Sequence, residues 1–298
     1  MPENGKPKTI EEQVKEQRLF GEELQKEIKD LQKKEEPIKE EIKPFQDVSI
    51  DAQGRKVKHV ATPTNDKDAS NKKYVDDKAV YGTLIFNPDG NPEGVSVDGA
   101  VGNVDAGGTA WATLHDAGTG TFVSHDQITA TMLMIKAGNT EDEWEYIYRG
   151  ILLFDTSMLP DDCTIVSATL SLYVTSKVLT FVGGEVPFSL DVVSCNPASN
   201  IIIATGDFDV GDFGTGTLFA DEMAYGDITA LAYNDIILNS DGLAAITKTG
   251  ITKLGLMFKY DRGNWAPTWE IGKSAYIIFG TAESVSQKPK LKITFKYA

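Results

Sequence analysis

The sequence contains few residues that could cross-link a fold covalently. Only two of the 298 residues are cysteines, and neither Cys163 nor Cys195 lies in a Cys-x-x-Cys or Cys/His metal motif. Two cysteines are too few for a disulfide framework. We expect two buried thiols, because free cysteine packs like a small hydrophobic residue, and a single bridge is the alternative.

Long apolar runs are also missing. No segment approaches the roughly 20 apolar residues that a membrane-spanning helix needs, and the N-terminal residues lack the apolar core of a signal peptide. The sequence therefore predicts no membrane insertion, and we expect synthesis in the cytoplasm of the producing cell.

Basic residues are scarce relative to acidic ones. The chain has 29 lysines and arginines against 44 aspartates and glutamates, a formal net charge of −15. Nucleic-acid binding requires basic side chains that displace the counterions of the phosphates, so we exclude that class. Residues 1–45 hold 10 basic and 12 acidic side chains, residues 46–79 hold 7 and 6, and the remaining 219 hold 12 and 26.

Residues 1–45 show the heptad repeat of a coiled coil. Aliphatic side chains occupy seven of the ten seam positions, and such a seam is unstable in water unless another helix covers it. Isoleucine at both seam positions favours three or more strands, and Pro37 is expected to kink or end the helix. The predicted oligomerisation residues are Ile10, Val14, Leu24, Ile28, Leu31, Ile38 and Ile42.

Residues 46–79 contain a motif that resembles a known connector. Val60-Ala-Thr-Pro63 is followed by Asp68-Ala-Ser-Asn-Lys-Lys-Tyr-Val-Asp76, an order similar to the connector before the distal domain of bacteriophage tail-fibre and other virion-fibre proteins. In that family the element is structural and trimeric. The resemblance implies a homotrimer whose N-terminus or coil docks to other virion proteins of the capsid or tail.

Residues 80–298 predict a mainly β domain. Apolar and polar side chains alternate over 167–174 and 290–296, as expected for strands with one wet face, and turn residues separate these runs. The only clear helix is predicted at 241–248. Many short strands with one short helix favour an antiparallel β-sandwich of the jelly-roll type.

A second resemblance covers most of this domain. Arg149-Gly-Ile-Leu-Leu-Phe-Asp155, followed by Leu159 to Val174, is similar to the core motif of DNRLRE-type, carbohydrate-binding-module-like sandwich domains. The resemblance implies a jelly roll, extracellular adhesion and glycan binding. We expect Arg149 and Asp155 to be structural, as an ion pair or a strand-end contact.

Sugar binding needs exposed aromatic faces beside polar groups. The best cluster lies in a segment predicted to be a loop between strands, where binding residues concentrate. The alternative is that one or both of its tryptophans close the end of the core, whereas Trp111 and Trp144 are expected in strands of the core or at a subunit interface. The candidate ligand-binding residues are Tyr260, Arg262, Asn264, Trp265 and Trp269.

The sequence gives little support for catalysis or cofactor binding. His115 and His125 each precede an aspartate, but neighbours in a strand face opposite ways and no nucleophile motif accompanies them. We expect both histidines on the surface or in loops. Carboxylate pairs are too common in an acidic chain to identify a glycosidase, and nucleotide-binding motifs are absent. We therefore predict no catalytic residue and no cofactor.

One acidic segment has two interpretations. Asp207, Asp209 and Asp212 lie in a glycine-rich stretch whose carboxylates could ligate calcium, but no glutamate stands at the twelfth position of an EF-hand loop. A solvated polar turn is the preferred interpretation. We accordingly predict no metal site.

Together these features predict a virion fibre with a coiled-coil stalk at 1–45, a trimeric connector at 46–79 and a distal β-sandwich at 80–298. Its function would be host-surface adhesion, with three weak glycan sites gaining avidity on one stalk. Two alternatives stay open, a purely structural head fibre or capsid decoration protein and a glycan-degrading tailspike enzyme. The expected location is the virion surface, and the acidic distal domain favours a neutral glycan or one bound through cations.

Overall fold

The computed structural model describes residues 81–182 and 188–298 of the chain. The predicted coiled coil of residues 1–45, with its seam residues, and the predicted connector of residues 46–79 lie outside the described residues. Within the described part, no helix is long and apolar enough to cross a membrane.

Antiparallel strands are the main secondary structure of the described chain. They are β1 (Tyr81–Phe86), β2 (Asp98–Ala110), β3 (Phe122–Ser124), β4 (Thr129–Ala137), β5 (Glu143–Asp155), β6 (Thr164–Leu179), β7 (Ser189–Ser194), β8 (Met223–Ala224), β9 (Ala232–Ile237), β10 (Ile251–Phe258), β11 (Ser274–Gly280) and β12 (Lys290–Lys296). Hydrogen-bonded neighbours follow the order β1–β12–β6–β11–β4–β5–β10–β7–β8, while β2 pairs with β3 and β5, and β9 pairs with β6. The mainly β class predicted from the sequence is confirmed.

Helical structure in the described residues is limited to short pieces. They are the α-helices α1 (Trp111–His115), α2 (Ser240–Ala244) and α3 (Lys259–Arg262), and the 3-10 helices Thr205–Phe208 and Val210–Asp212. The helix predicted at 241–248 is present as the shorter α2, which Asn239 caps by accepting hydrogen bonds from the amides of Asp241 and Gly242. The expectation of a single helix was wrong, because α1 and α3 are too short to show a helical period.

Two long strands curl the sheet. β5 pairs with β4 through its first half and with β10 through its second, while β2 follows most of its other side. β6 passes in the same way from β12 to β11. Gly150 lies where β5 changes partners, and a Cβ there would stand 3.0 Å from Cβ of Leu256 and 3.1 Å from Cβ of Met132. Glycine therefore lets β4 and β10 approach each other where they meet along the same edge of β5.

Side-chain alternation builds the core, as the sequence predicted for β6 and β12. The apolar residues of β12 are buried and its lysines are exposed or half-buried. Burial of an aliphatic or aromatic side chain contributes about 1.5–3 kcal/mol to folding.

Cys163 and Cys195 are both buried and free, which confirms the prediction of two thiols.

Candidate functional site

The five predicted ligand-binding residues follow β10, in α3 and the loop toward β11. The segment is not the continuous loop that we expected, because α3 forms its first turn. Tyr260 lies on this turn and is buried, with its ring centroid 4.7 Å from that of Phe188. Its ring is therefore part of the core and not the exposed face that we expected.

Arg262 and Trp269 are both engaged inside the protein. Arg262 donates from Nε to Oδ2 of Asp191 at 2.5 Å and from Nη2 to Oε1 of Glu222 at 2.9 Å. Trp269 donates from Nε1 to the carbonyl oxygen of Glu143 at 3.1 Å, and its ring packs against the core. The alternative that a tryptophan closes the core therefore describes Trp269.

Asn264 and Trp265 remain at the surface. Trp265 is 44% exposed and is the one tryptophan among the described residues with a large exposed fraction. Its six-membered ring folds over Gly263, where a Cβ would come within 2.3 Å of that ring. Asn264 has a φ of 51°, a left-handed conformation that asparagine tolerates. The lack of a side chain at Gly263 leaves room for this indole, and the left-handed backbone of Asn264 makes the turn that positions it.

The helix α1 and the residue that caps its C-terminus contribute one further residue each next to Asn264. Oδ1 of Asn264 accepts a hydrogen bond from Nε1 of Trp111 at 3.2 Å, and Nδ2 of Asn264 donates to Oδ1 of Asp116 at 3.5 Å. The carboxylate of Asp116 is half exposed. We call Trp111, Asp116, Asn264 and Trp265 the α1–α3 surface. Sequence reasoning missed Trp111 and Asp116, because 148 positions separate Asn264 from Asp116.

A buried ion pair connects α1 and α3 to the sheet. Arg149 of β5 is fully buried and donates to both carboxylate oxygens of Asp261, with Nη2–Oδ1 at 2.7 Å and Nε–Oδ2 at 2.9 Å. Nη2 also donates to the carbonyl oxygen of His115 at 3.1 Å, and Nη1 donates to the carbonyl oxygen of Phe208. A two-point pair of this kind fixes the relative orientation of its partners. The geometry of α3 against α1 therefore depends on Arg149.

The motif residues Arg149 and Asp155 are structural but do not pair with each other. The partner of Arg149 is Asp261, more than a hundred positions away. Asp155 instead accepts a hydrogen bond from the amide of Ser157 at 3.0 Å. This is the strand-end contact that we considered for Asp155.

The expectation of a surface or loop His115 was wrong. The residue ends α1 and is 2% exposed. Its Nε2 lies 2.8 Å from the carbonyl oxygen of Asp261, and its Nδ1 contacts the carboxylate of Asp116. Trp111 stacks on the imidazole with 5.7 Å between ring centroids, in a helix and not in the strand that we expected. Because both ring nitrogens are occupied, His115 orients the α1–α3 surface and has no nitrogen left for a substrate.

The solvated turn that we expected at 207–212 describes Asp209, which is exposed, and Asp212, which is half-buried, but not Asp207. Asp207 is buried, and its carboxylate accepts hydrogen bonds from the amides of Ala198 at 2.8 Å and Ala204 at 2.7 Å. These amides occupy the oxygens that a cation would need. In residues 81–182 and 188–298, the one group of three potential metal ligands is a different one, formed by Glu93, His125 and Asp126.

The α1–α3 surface combines groups suited to a sugar. Indole faces pack against the C–H groups of a pyranose ring, and amides and carboxylates hydrogen-bond to its hydroxyls.

Neither a protein-family model nor a curated protein matches this chain.

Proposed function

We propose that this protein is a virion fibre whose β domain binds a host-surface glycan through the α1–α3 surface. The observation that carries the binding proposal is the exposed indole of Trp265 directly after Asn264, whose side chain contacts Asp116. The indole offers a stacking face, and the polar pair offers a hydrogen-bond donor and acceptors for hydroxyl groups. No turnover of the glycan is part of this proposal.

The contacts below this surface favour binding. Arg149 and Asp261 hold α3, while His115 bridges α1 to the backbone of α3. A surface that is already ordered loses less conformational entropy when a ligand binds. The α1–α3 surface can therefore bind a small ligand without first rearranging its backbone.

The charge of the β domain narrows the class of glycan. Its 12 basic residues against 26 acidic ones repel anionic polysaccharides at long range. Arg262, the basic residue among the predicted ligand-binding positions, is already paired with Asp191 and Glu222. A neutral glycan fits these observations better than an anionic one.

The fibre part of the proposal rests on the heptads of residues 1–45 and the connector resemblance of residues 46–79. In this arrangement a trimeric coil presents three jelly-roll sandwiches at the particle surface and docks to other virion proteins through its N-terminus. Three weak sites on one stalk gain avidity without any new contact.

The test is binding of the full chain to a glycan array and to host cells. Trp265→Ala should lower binding by about 2 kcal/mol, a factor of roughly thirty, if the indole is the central contact. Tyr297→Ala is the matched control, because Tyr297 is an aromatic residue with 45% exposure outside the α1–α3 surface. Binding that Trp265→Ala leaves unchanged would contradict the assignment of the surface.

A purely structural head fibre or decoration protein is the second candidate. The observation in its favour is that Tyr260, Arg262 and Trp269 are committed to internal contacts, which leaves a small surface for a ligand. Absence of binding across glycans and host strains, together with incorporation of the protein into capsids, would support this candidate over adhesion.

A further inference from the structure

Several buried polar atoms without a hydrogen-bond partner belong to neighbouring segments outside the α1–α3 surface. The described residues contain five such side-chain atoms, and four of them are Glu93 Oε1, Asp98 Oδ2, His125 Nδ1 and Glu283 Oε2. Buried polar atoms in folded proteins are nearly always paired. A group of atoms without a hydrogen bond, made of three carboxylate oxygens and an imidazole nitrogen at ion-pair distance from Glu93 and Asp126, points to a bound cation.

Three side chains form a compact set of ligands. Nδ1 of His125 lies 3.6 Å from Oε1 of Glu93 and 2.8 Å from Oδ1 of Asp126, and one ligand atom from each residue lies within 4.8 Å of the other two. Ligand atoms around a tetrahedral Zn²⁺ with bonds of about 2.0–2.1 Å stand roughly 3.3 Å apart. The separations of 2.8 and 3.6 Å bracket that value. The side chain of Glu93 is only 10% exposed.

The fold brings these ligands together from two separate loops. Glu93 lies between β1 and β2, and His125 and Asp126 follow β3. Gly99, with a φ of 155°, makes the approach possible, because a Cβ there would stand 2.2 Å from the carbonyl oxygen of Ser124 and 2.9 Å from Cα of His125. The close packing of β2 on this loop therefore requires glycine.

Two further carboxyl groups, those of Asp98 and Glu283, lie near Glu93. Asp98 accepts a hydrogen bond from the amide of Ala282 at 3.1 Å, and Glu283 accepts one from the amide of Asn91 at 3.3 Å. The second oxygen of each carboxylate has no partner. Burial, together with the charges of Glu283 and Glu93, raises the pKa of Asp98 well above its usual range. A cation at this position would offset the repulsion among these groups.

We propose that Glu93, His125 and Asp126 bind a divalent transition-metal ion, for which Zn²⁺ is the best match. Ca²⁺ takes about six to eight oxygen ligands, whereas Zn²⁺ accepts an imidazole nitrogen together with carboxylate oxygens. The ion ties the β1–β2 loop to the segment after β3. It stabilises the folded β domain, because the unfolded chain does not hold the three ligands together. This proposal does not depend on glycan binding.

The test uses the full chain without an affinity tag, after dialysis against a chelator. Calorimetric titration should show a Zn²⁺ site whose affinity falls by at least about tenfold in His125→Gln and in Glu93→Gln. His59→Gln and Glu141→Gln are the matched controls and should bind like the unmodified chain. Glu141 is exposed, and His59 lies outside the described residues.

Thermal melting separates loss of the metal from misfolding. Zn²⁺ should raise the melting temperature of the unmodified chain and of both controls, but not that of His125→Gln or Glu93→Gln. In chelator, Glu93→Gln should melt no lower than the unmodified chain, because it removes one of several crowded negative charges. The proposal is overturned by absence of Zn²⁺ binding at millimolar concentration, by variants that bind Zn²⁺ as tightly as the unmodified chain, or by tighter binding of Ca²⁺ than of Zn²⁺ in a parallel titration.

Discussion

Arg149 organises a surface that its own side chain does not reach. Its donors are distributed over the carboxylate of Asp261 and the carbonyl oxygens of His115 and Phe208. Taking an ion pair out of water costs several kcal/mol per ion, so the pair adds less to stability than its short distances suggest. Its main effect is to fix how α1 and α3 meet.

Asp261→Asn should destabilise the β domain strongly, because it leaves the charge of Arg149 buried without its carboxylate. The free energy of unfolding, measured by urea denaturation, should fall by about 3–5 kcal/mol. Glu222→Gln removes a carboxylate from the partly exposed pairs with Lys259 and Arg262, of which Arg262 keeps its bond to Asp191, and should cost no more than about 1 kcal/mol. Equal effects of the two substitutions would show that Arg149 does not need Asp261.

The two cysteines should be unreactive in the folded protein. Burial raises the pKa of Cys195 to about 12, and Cys163 is buried as well. Because the thiolate is the reactive form, neither thiol should react with Ellman's reagent at about pH 8 until the chain is denatured. Two thiols should then be counted, whereas one or two in the native protein would mean that the core opens.

Among the elements, the strands were predictable and the helices that shape the site were not. The alternation of β6 and β12 is a local signal with a period of two, and it is visible in the sequence alone. The helices α1 and α3 contain five and four residues, about one turn each, and too few for a helical period. Asn264 and Asp116, which follow these helices, contact each other across 148 positions of the sequence. No local sequence pattern predicts such a contact.

The metal-ligand set escaped prediction for a related reason. Glu93 and His125 come from different loops, without the short fixed spacing that marks a metal motif. Asp207 and its neighbours did have a suggestive spacing, but backbone amides occupy the oxygens of Asp207. Spacing identifies a site only where all the ligands come from one segment.

The crossing of β5 from β4 to β10 should be sensitive to substitution at Gly150. Gly150→Ala places a methyl group against Leu256 and Met132 at 3.0 and 3.1 Å and should lower the free energy of unfolding by about 1–3 kcal/mol. Gly206→Ala is the control, because no atom lies within 4 Å of the added Cβ there. The control should be neutral or stabilising by about 0.4–1 kcal/mol. A neutral Gly150→Ala would mean that the two strands can separate at no cost.

For the whole molecule, the charge distribution agrees with a neutral stalk that holds acidic domains. Light scattering of the full chain should give about three times the protomer mass of 32.5 kDa, because the seam of residues 1–45 favours three strands. Replacing Leu24, Ile28 and Leu31 with asparagine should shift the mass toward one protomer, whereas Lys26→Gln, at the heptad position farthest from the predicted seam, should not. A protomer mass for the unmodified chain at micromolar concentration would contradict the trimer.

The pairing of β1 with β12 has a consequence for how the β domain is made. Thr83 of β1 hydrogen-bonds to Thr294 of β12, 211 positions further along the chain. At about 5–20 residues per second, the ribosome needs roughly 10–40 s to cover that interval. β1 waits for its partner throughout this time, and an unpaired strand is a template for pairing with another chain. We therefore expect β1 to be a site through which nascent chains can aggregate before β12 has left the ribosome.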